Sequence, residues 1–278
     1  MAEVTAKAPE SDARHGGSVS SLIADFVRDT LALTDIEVRK LLRDPTELLT
    51  RAIQPALWLV IFGQVFGHTK VIPTGALDYQ TFIAPGILAQ SVLFNAIFYG
   101  ISVIWERDLG ILQKLLVSPA PRVALVMGKA LSAGVRGLAQ GIIVYVLALL
   151  LRIHLDFSLA HVLGVIAFII LGSALFATFS LAVACLVKTR ERFMGIGQML
   201  TMPLFFASNA IYPIAIMPDW LRALAKVNPL SYLVDALRSL MVADGQSLFG
   251  IGTDAALLLI IFTILALVTA RLYPNVVS

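Results

Sequence analysis

The chain's polar chemistry is read first in a charged, amphipathic segment wedged between two long apolar runs, Trp105-Glu106-Arg107-Asp108-Leu109-Gly110-Ile111-Leu112-Gln113-Lys114-Leu115-Leu116-Val117-Ser118-Pro119. Leu109, Leu112, Leu115 and Leu116 recur at helical spacing and make one face apolar. Glu106, Arg107, Asp108 and Lys114 keep other positions in water, and Pro119 ends the segment. A helix of this kind between two long apolar runs is too polar to cross a membrane. It belongs at the surface, as a contact for a soluble partner rather than as a catalyst.

The remaining reactive groups do not assemble into a reaction centre. His15, His68, His154 and His161 are scattered, with no metal-ligand spacing and no nucleophile-base pairing. No Gly-x-x-x-x-Gly-Lys-Ser/Thr phosphate loop occurs, so the chain has no nucleotide site of that type. Asp235 and Arg238, three apart, can pair on one helical turn. Arg136 sits inside an apolar run, where a charge costs at least about 2.5–3.5 kcal/mol on insertion scales. Its head either snorkels to the cytosolic side or lines an inward-facing cavity and attracts an anionic group.

The elements that would position these groups follow from composition. Apolar residues make up 58% of 278 and charged residues 14%, and mean hydropathy is +0.87. Soluble domains are roughly 45–50% apolar and about 25% charged. The expected class is an all-α polytopic membrane protein, without room for an attached catalytic domain. Net charge +3 does not indicate nucleic acid, because the basic residues flank spans. The single cysteine, Cys185, excludes an internal disulfide framework and reads as a small packing residue.

Residues 1–19 read as a disordered cytosolic tail without a secretory signal. Residues 20–43 predict an amphipathic interfacial helix: Ile23, Phe26, Val27, Leu31, Leu33, Val38 and Leu41 face Asp25, Arg28, Asp35, Arg39 and Arg43. Glu37 and Ile36 interrupt the two arcs. A transmembrane domain over 44–278 then has six spans, at about 52–67, 81–104, 123–151, 161–187, 193–211 and 255–273. Pro85-Gly86 kinks the second near its outer end. Lys and Arg concentrate in the tail, in 105–122 and in 188–192, whereas Lys70, Arg152, Arg222, Lys226 and Arg238 fall in the alternate pieces. That bias places both termini and residues 105–119 in the cytosol. Residues 212–254 stay apolar although they hold Pro213, Pro218 and Pro229, so they predict outer helices that re-enter the membrane against protein. Asn228-Pro229 is a helix cap followed by proline at the first helical position. Ala133, Gly137 and Gly141 make a ridge for close helix packing, against either an internal span or a second protomer.

Two stretches taken together resemble the permease subunit of type-2 ABC exporters, the antibiotic-resistance and polysaccharide or nodulation-factor kind. Glu106-Arg107 with Gly110, Gln113, Leu115, Ser118 and Pro119 is similar to that family's cytosolic coupling-helix loop. Ser208-Asn209-Ala210-Ile211-Tyr212-Pro213, then Pro218, then Asn228-Pro229-Leu230-Ser231-Tyr232-Leu233-Val234-Asp235-Ala236-Leu237-Arg238, resembles its signature between the fifth and sixth spans. The resemblance implies two permease protomers, identical or homologous, and two copies of a separate cytosolic ATPase that carries ATP and Mg. This chain would bind no cofactor and would be no enzyme by itself. Glu106 and Arg107 would shape the ATPase contact, with Leu112, Leu115 and Leu116 as its apolar part. Spans 2 and 5 would flank the pathway, so Gln90, Asn95, Gln198, Thr201, Phe205, Phe206 and Asn209 become its candidate lining, joined by Arg136 of span 3 on the cavity reading. For the uncharged polar groups the competing reading is interhelical hydrogen bonding, and for the phenylalanines it is packing. The setting implied is a prokaryotic cytoplasmic membrane.

Two other classes compete. An ion-coupled secondary transporter usually carries intramembrane carboxylates, and the predicted spans hold no Asp or Glu in their interiors. An intramembrane enzyme would need paired carboxylates, a histidine cluster or a Ser-His set within a span. With 3 tryptophans the chain lacks aromatic tracks for sugars, which favours an amphipathic small molecule or lipid over a polysaccharide or glycolipid.

Overall fold

The computed structural model describes residues 28, 39, 45–69, 71–75, 77–109, 122–187, 189–243 and 245–272. Arg28 and Arg39 are helical and exposed; the rest of the expected interfacial helix and the tail before it lie outside the described residues. The helices are α1 (Pro45–Leu57), a π-helical turn (Trp58–Phe62), α2 (Gly63–Thr69), α3 (Tyr79–Asp108), α4 (Arg122–Leu150) and α5 (Leu159–Leu186). They continue with α6 (Arg190–Phe206), a 3₁₀ turn (Ile214–Ile216), α7 (Asp219–Val227), α8 (Pro229–Met241) and α9 (Ile251–Leu272). No strand forms among the described residues; Leu155 and Val242 make one isolated antiparallel bridge.

Four stretches, Tyr79–Trp105, Val126–Leu150, Leu159–Leu186 and Ile251–Leu272, are long and apolar enough to cross a membrane. They correspond to predicted spans 2, 3, 4 and 6. The first predicted span falls in α1–α2, where Pro55 sits inside the helix and the π turn interrupts the regular bonding. The fifth falls in α6, whose helix ends at Phe206, short of residue 211. Pro203 removes one donor from its last turn, and the Asn228 side chain takes up two of its final carbonyls, those of Leu204 and Ala207, at 2.7 and 3.2 Å.

α5 is the hub, packed against α3, α4, α8 and α9. Hydroxyls and glycines let it approach its neighbours closely. Ser180 Oγ donates to the Ile97 carbonyl and accepts from the Gly100 N–H of α3, at 3.1 Å for the latter. A Cβ at Gly137 would strike Ser173 of α5, so the small-residue ridge on α4 faces an internal helix. Gly86 matters more, because a Cβ there would overlap the backbone of Ala210. The non-helical segment after α6 thus lies directly on α3.

α8 is buried along Leu230–Met241 and packs on α3, α5 and α9. Its start is fixed as the sequence predicts: Asn228 Oδ1 accepts from the Leu230 N–H at 3.0 Å, with Pro229 next. α7 is far more exposed, with Trp220 and Val227 mostly open. The expected Asp235–Arg238 pair does not close. Asp235 Oδ2 instead accepts from Ser247 Oγ (2.7 Å) and from the Leu248 and Phe249 N–H groups (2.8 and 3.0 Å). Arg238 turns the other way, to the Phe82 and Asn209 carbonyls. Backbone acceptors and donors in adjacent loops outcompete a neighbour on the same helix.

α9 begins earlier than predicted, after Gly250 in the left-handed region (φ 92°), whose N–H donates to Ser247 Oγ at 2.7 Å. The earlier start places Asp254, fully buried, in the first turn of an apolar helix. The predicted span, begun at residue 255, holds no carboxylate in its interior, but the longer observed helix carries a buried one in its first turn.

Candidate functional site

At one end of the bundle, α3, α5 and α6 are clasped together. Asp108, the last residue of α3, accepts from Arg190 Nε and Nη2 at 3.1 and 2.8 Å on Oδ2. Its Oδ1 accepts from Arg107 Nε and Nη2 at 3.3 and 3.1 Å. Arg107 Nη1 also reaches the Val187 carbonyl, which caps α5, at 3.4 Å. The Arg190 guanidinium lies over the Trp105 ring, 3.6 Å from its centroid. The Arg190 hydrogen bond, ahead of that from Arg107, holds the Asp108 carboxyl below the usual carboxylate range. This clasp is where the chain leaves α3 for the expected coupling segment. Gly110, Leu112, Gln113, Leu115, Leu116, Ser118 and Pro119 lie outside the described residues, and Glu106 is described only as helical backbone. Asp108 was read only as a position kept in water, and its pairing with Arg190, 82 positions away, lies beyond any spacing rule.

The opposite end joins the α4–α5 connection to the end of α8. Asp156 N–H donates to the Met241 carbonyl (3.0 Å) and Ala243 N–H to that of His154 (3.3 Å). Asp156 caps the start of α5, accepting from the Ser158 N–H at 2.7 Å and contacting His161 Nδ1 at 2.6 Å; the Ser158 bond first, then His161, lowers its pKa.

The eight candidate pathway residues separate by exposure. Gln90, Thr201, Phe205 and Asn209 are buried inside the chain. Thr201 donates to the Gly197 carbonyl, and Phe205 packs edge-on against Trp58 at 5.5 Å and Phe206 at 5.3 Å. Asn95 and Arg136 are half-buried. Asn95 Nδ2 donates to Gln140 Oε1 at 3.4 Å, and Arg136 lies over the Tyr99 ring at 5.5 Å. Gln140, like Arg136 on α4, could have been found from sequence as a polar group four residues on. Asn95 and Gln140 also border a cavity of about 380 Å³ between α1, α3 and α4, beside Gln54 and Phe98.

Gln198 and Phe206 are the exposed pair, and they belong to a stripe. Gly195, Gln198, Met199, Met202 and Phe206 recur at three- and four-residue spacing on α6 and are all exposed. Met199 is 75% open. A Cβ at Gly195 would meet nothing within 4 Å. One face of α6 is therefore uncovered, lined by flexible thioethers, one amide and one aromatic ring.

The outer-signature residues act as ties between loops. Tyr232 donates to the Lys226 carbonyl, joining α8 to α7. Pro218 precedes α7 and Pro213 the 3₁₀ turn. Asn228 holds the end of α6, Asp235 the loop before α9, and Arg238 both α3 and Asn209. No group of three or more potential metal ligands occurs among the described residues.

Known proteins place this arrangement. The family model described as ABC-2 type transporter matches residues 28–242, from before α1 through α8. A putative transport permease, ycf38, of Cyanophora paradoxa is 29% identical over 219 residues, 77% of this chain and 74% of its own. The daunorubicin resistance ABC transporter permease protein DrrB1 of Streptomyces coeruleorubidus is 25% identical over 232 residues, covering 83% and 81%. The inner membrane transport permease YadH of Escherichia coli K12 is 25% identical over 197 residues, covering 69% and 73%. With the family pattern spanning most of its length and several apolar helices around α5, the chain belongs to the ABC-2 type transporter family of membrane permeases.

Proposed function

We propose that this chain is the permease subunit of an ATP-driven exporter that moves an amphipathic, drug-like or lipid molecule out of the cytoplasm. The observation that carries the reading is the family match over 28–242, joined to the uncovered α6 face. Methionine side chains adapt to ligands of varied shape, and a stripe of them with Gln198 and Phe206 suits a broad amphipathic substrate better than a sugar chain. The drug-resistance name of one relative points the same way. The α6 face of one protomer meets that of a second, and the pathway runs between them, with α1–α2 and α6 completing six spans. The α7–α8 segment re-enters from the outer side, and both termini lie in the cytosol of the inner membrane.

Residues 105–119 form the coupling helix, seated in a cleft of the ATPase as amphipathic helices seat in grooves. The Asp108–Arg190 clasp then passes a push on that helix to α3 and α6 together. The test is co-purification with the ATPase encoded beside the gene, and ATP hydrolysis in lipid nanodiscs. Changing Leu112 and Leu115 to Asp is expected to abolish association and lipid-stimulated hydrolysis while leaving the helical signal and Tm of the chain unchanged. Undiminished coupling in that variant would sink the assignment of the helix.

A further inference from the structure

Between α3, α8 and the loops at 209–215 and 246–248 lies a cavity of about 430 Å³, lined in part by Phe82, Asn209, Ile214, Asp235, Arg238 and Leu248. Arg238 is only 7% exposed. Its Nε donates to the Phe82 carbonyl at 3.3 Å, its Nη2 to the Asn209 carbonyl at 2.7 Å, and its guanidinium rests 3.9 Å from the Phe82 ring centroid. All of these contacts are to neutral groups. The nearest acid in sequence, Asp235, spends its Oδ2 on Ser247, Leu248 and Phe249. Among the described residues Arg238 forms no ion pair, and Nη1 makes no hydrogen bond. Asp235 acts on the guanidinium only through space, so the buried cation has no anion in direct contact and keeps donor capacity for one. A second group in the same lining is also unsatisfied: Asn209 is 2% exposed and its Oδ1 accepts nothing. Phe82, Ile214 and Leu248 supply apolar wall.

We propose that this cavity is a receptor for the oxyanion of an amphiphile, a phosphate carrying a hydroxyl or other donor. The oxyanion bonds Arg238 Nη1, the donor satisfies Asn209 Oδ1, and the apolar part lies along Phe82, Ile214 and Leu248. The same chemistry has two sources, a phospholipid head group or free phosphate. The site does not depend on how transport is powered.

The test uses the purified full chain in a neutral detergent, with thermal unfolding as readout and three probes: dihexanoyl phosphatidic acid, dihexanoylglycerol and inorganic phosphate. Ala215, exposed and part of the cavity lining, makes none of the Arg238 bonds, so Ala215→Phe narrows the space without breaking them. Phosphatidic acid is expected to raise Tm by roughly 4 °C at about twentyfold excess over its Kd. Dihexanoylglycerol should leave Tm unchanged, and Ala215→Phe should keep the unliganded Tm while weakening phosphatidic acid at least tenfold. Arg238→Lys, which keeps the charge but not the fork, should also weaken it. An equal shift from inorganic phosphate, lost in Ala215→Phe, keeps the site and makes the free anion its ligand. No shift from either phosphate probe, an equal shift from dihexanoylglycerol, or a shift that survives in Ala215→Phe would overturn the proposal.

Discussion

Single side chains in this protein do their work by tying loops to helix ends. Asn228 is the clearest case, since one amide caps α8 and satisfies the Leu204 and Ala207 carbonyls at the end of α6. Asn228→Ala should lower stability by about 2–4 kcal/mol, a lost cap of about 1 kcal/mol plus carbonyls left unpaired. Unfolding in mixed micelles reads this directly, and a loss under 1 kcal/mol would show that water takes over those carbonyls. Asp108 makes a pH prediction. Its pKa is depressed in the fold, chiefly by Arg190, so the clasp contributes fully above the unfolded carboxylate pKa of about 4 and is lost as pH falls through the folded value. Emission of Trp105, stacked under Arg190, should be flat from about pH 5 to 9 and change only in stronger acid. Because the pair is partly exposed, high salt should weaken it at neutral pH. A transition near neutral pH would contradict the arrangement.

At the scale of elements, two glycines separate a packed contact from an open face. A Cβ at Gly86 meets the Ala210 backbone, which has no rotamer by which to move aside. Gly86→Ala should therefore cost about 1–3 kcal/mol or more. Gly195 on α6 has open space around it, and Gly195→Ala should be neutral or gain up to about 1 kcal/mol from helix propensity in the isolated chain. Equal losses at both sites would mean that α6 is covered. Much of this level was legible beforehand. Predicted spans 81–104 and 161–187 lie within a few residues of Tyr79–Asp108 and Leu159–Leu186, because long apolar runs with polar ends leave little choice. The cap at Asn228-Pro229 was legible for a local reason: residue type and position suffice. The end of α6 was not, since residues 207–211 hold no proline, glycine or charge and the carbonyls at the helix end are taken up by a side chain 21 residues downstream. Asp235 and Arg238 were misread because spacing on one helix says nothing about the loop donors and carbonyls that fold brings within reach. Asp254 escaped notice by lying one residue before the predicted start of its span.

For the whole molecule, the hub helix α5 gathers α3, α4, α8 and α9 around it and leaves one bare flank along α6. At one end the Asp108–Arg190–Trp105 clasp joins α3 to α6, and Arg107 adds the end of α5, beside the expected coupling segment; at the other, α8 is locked to the α4–α5 connection. On the proposed function, a push at the coupling segment reaches α3 and α6 together through that clasp. The most direct measurement is transport in proteoliposomes holding the chain and its ATPase, using a fluorescent amphipathic amine with any proton or sodium gradient dissipated. Movement that requires ATP hydrolysis and continues without an ion gradient is the predicted result. Movement that follows an imposed gradient and ignores ATP would contradict the account and direct attention to the buried carboxylate of Asp254.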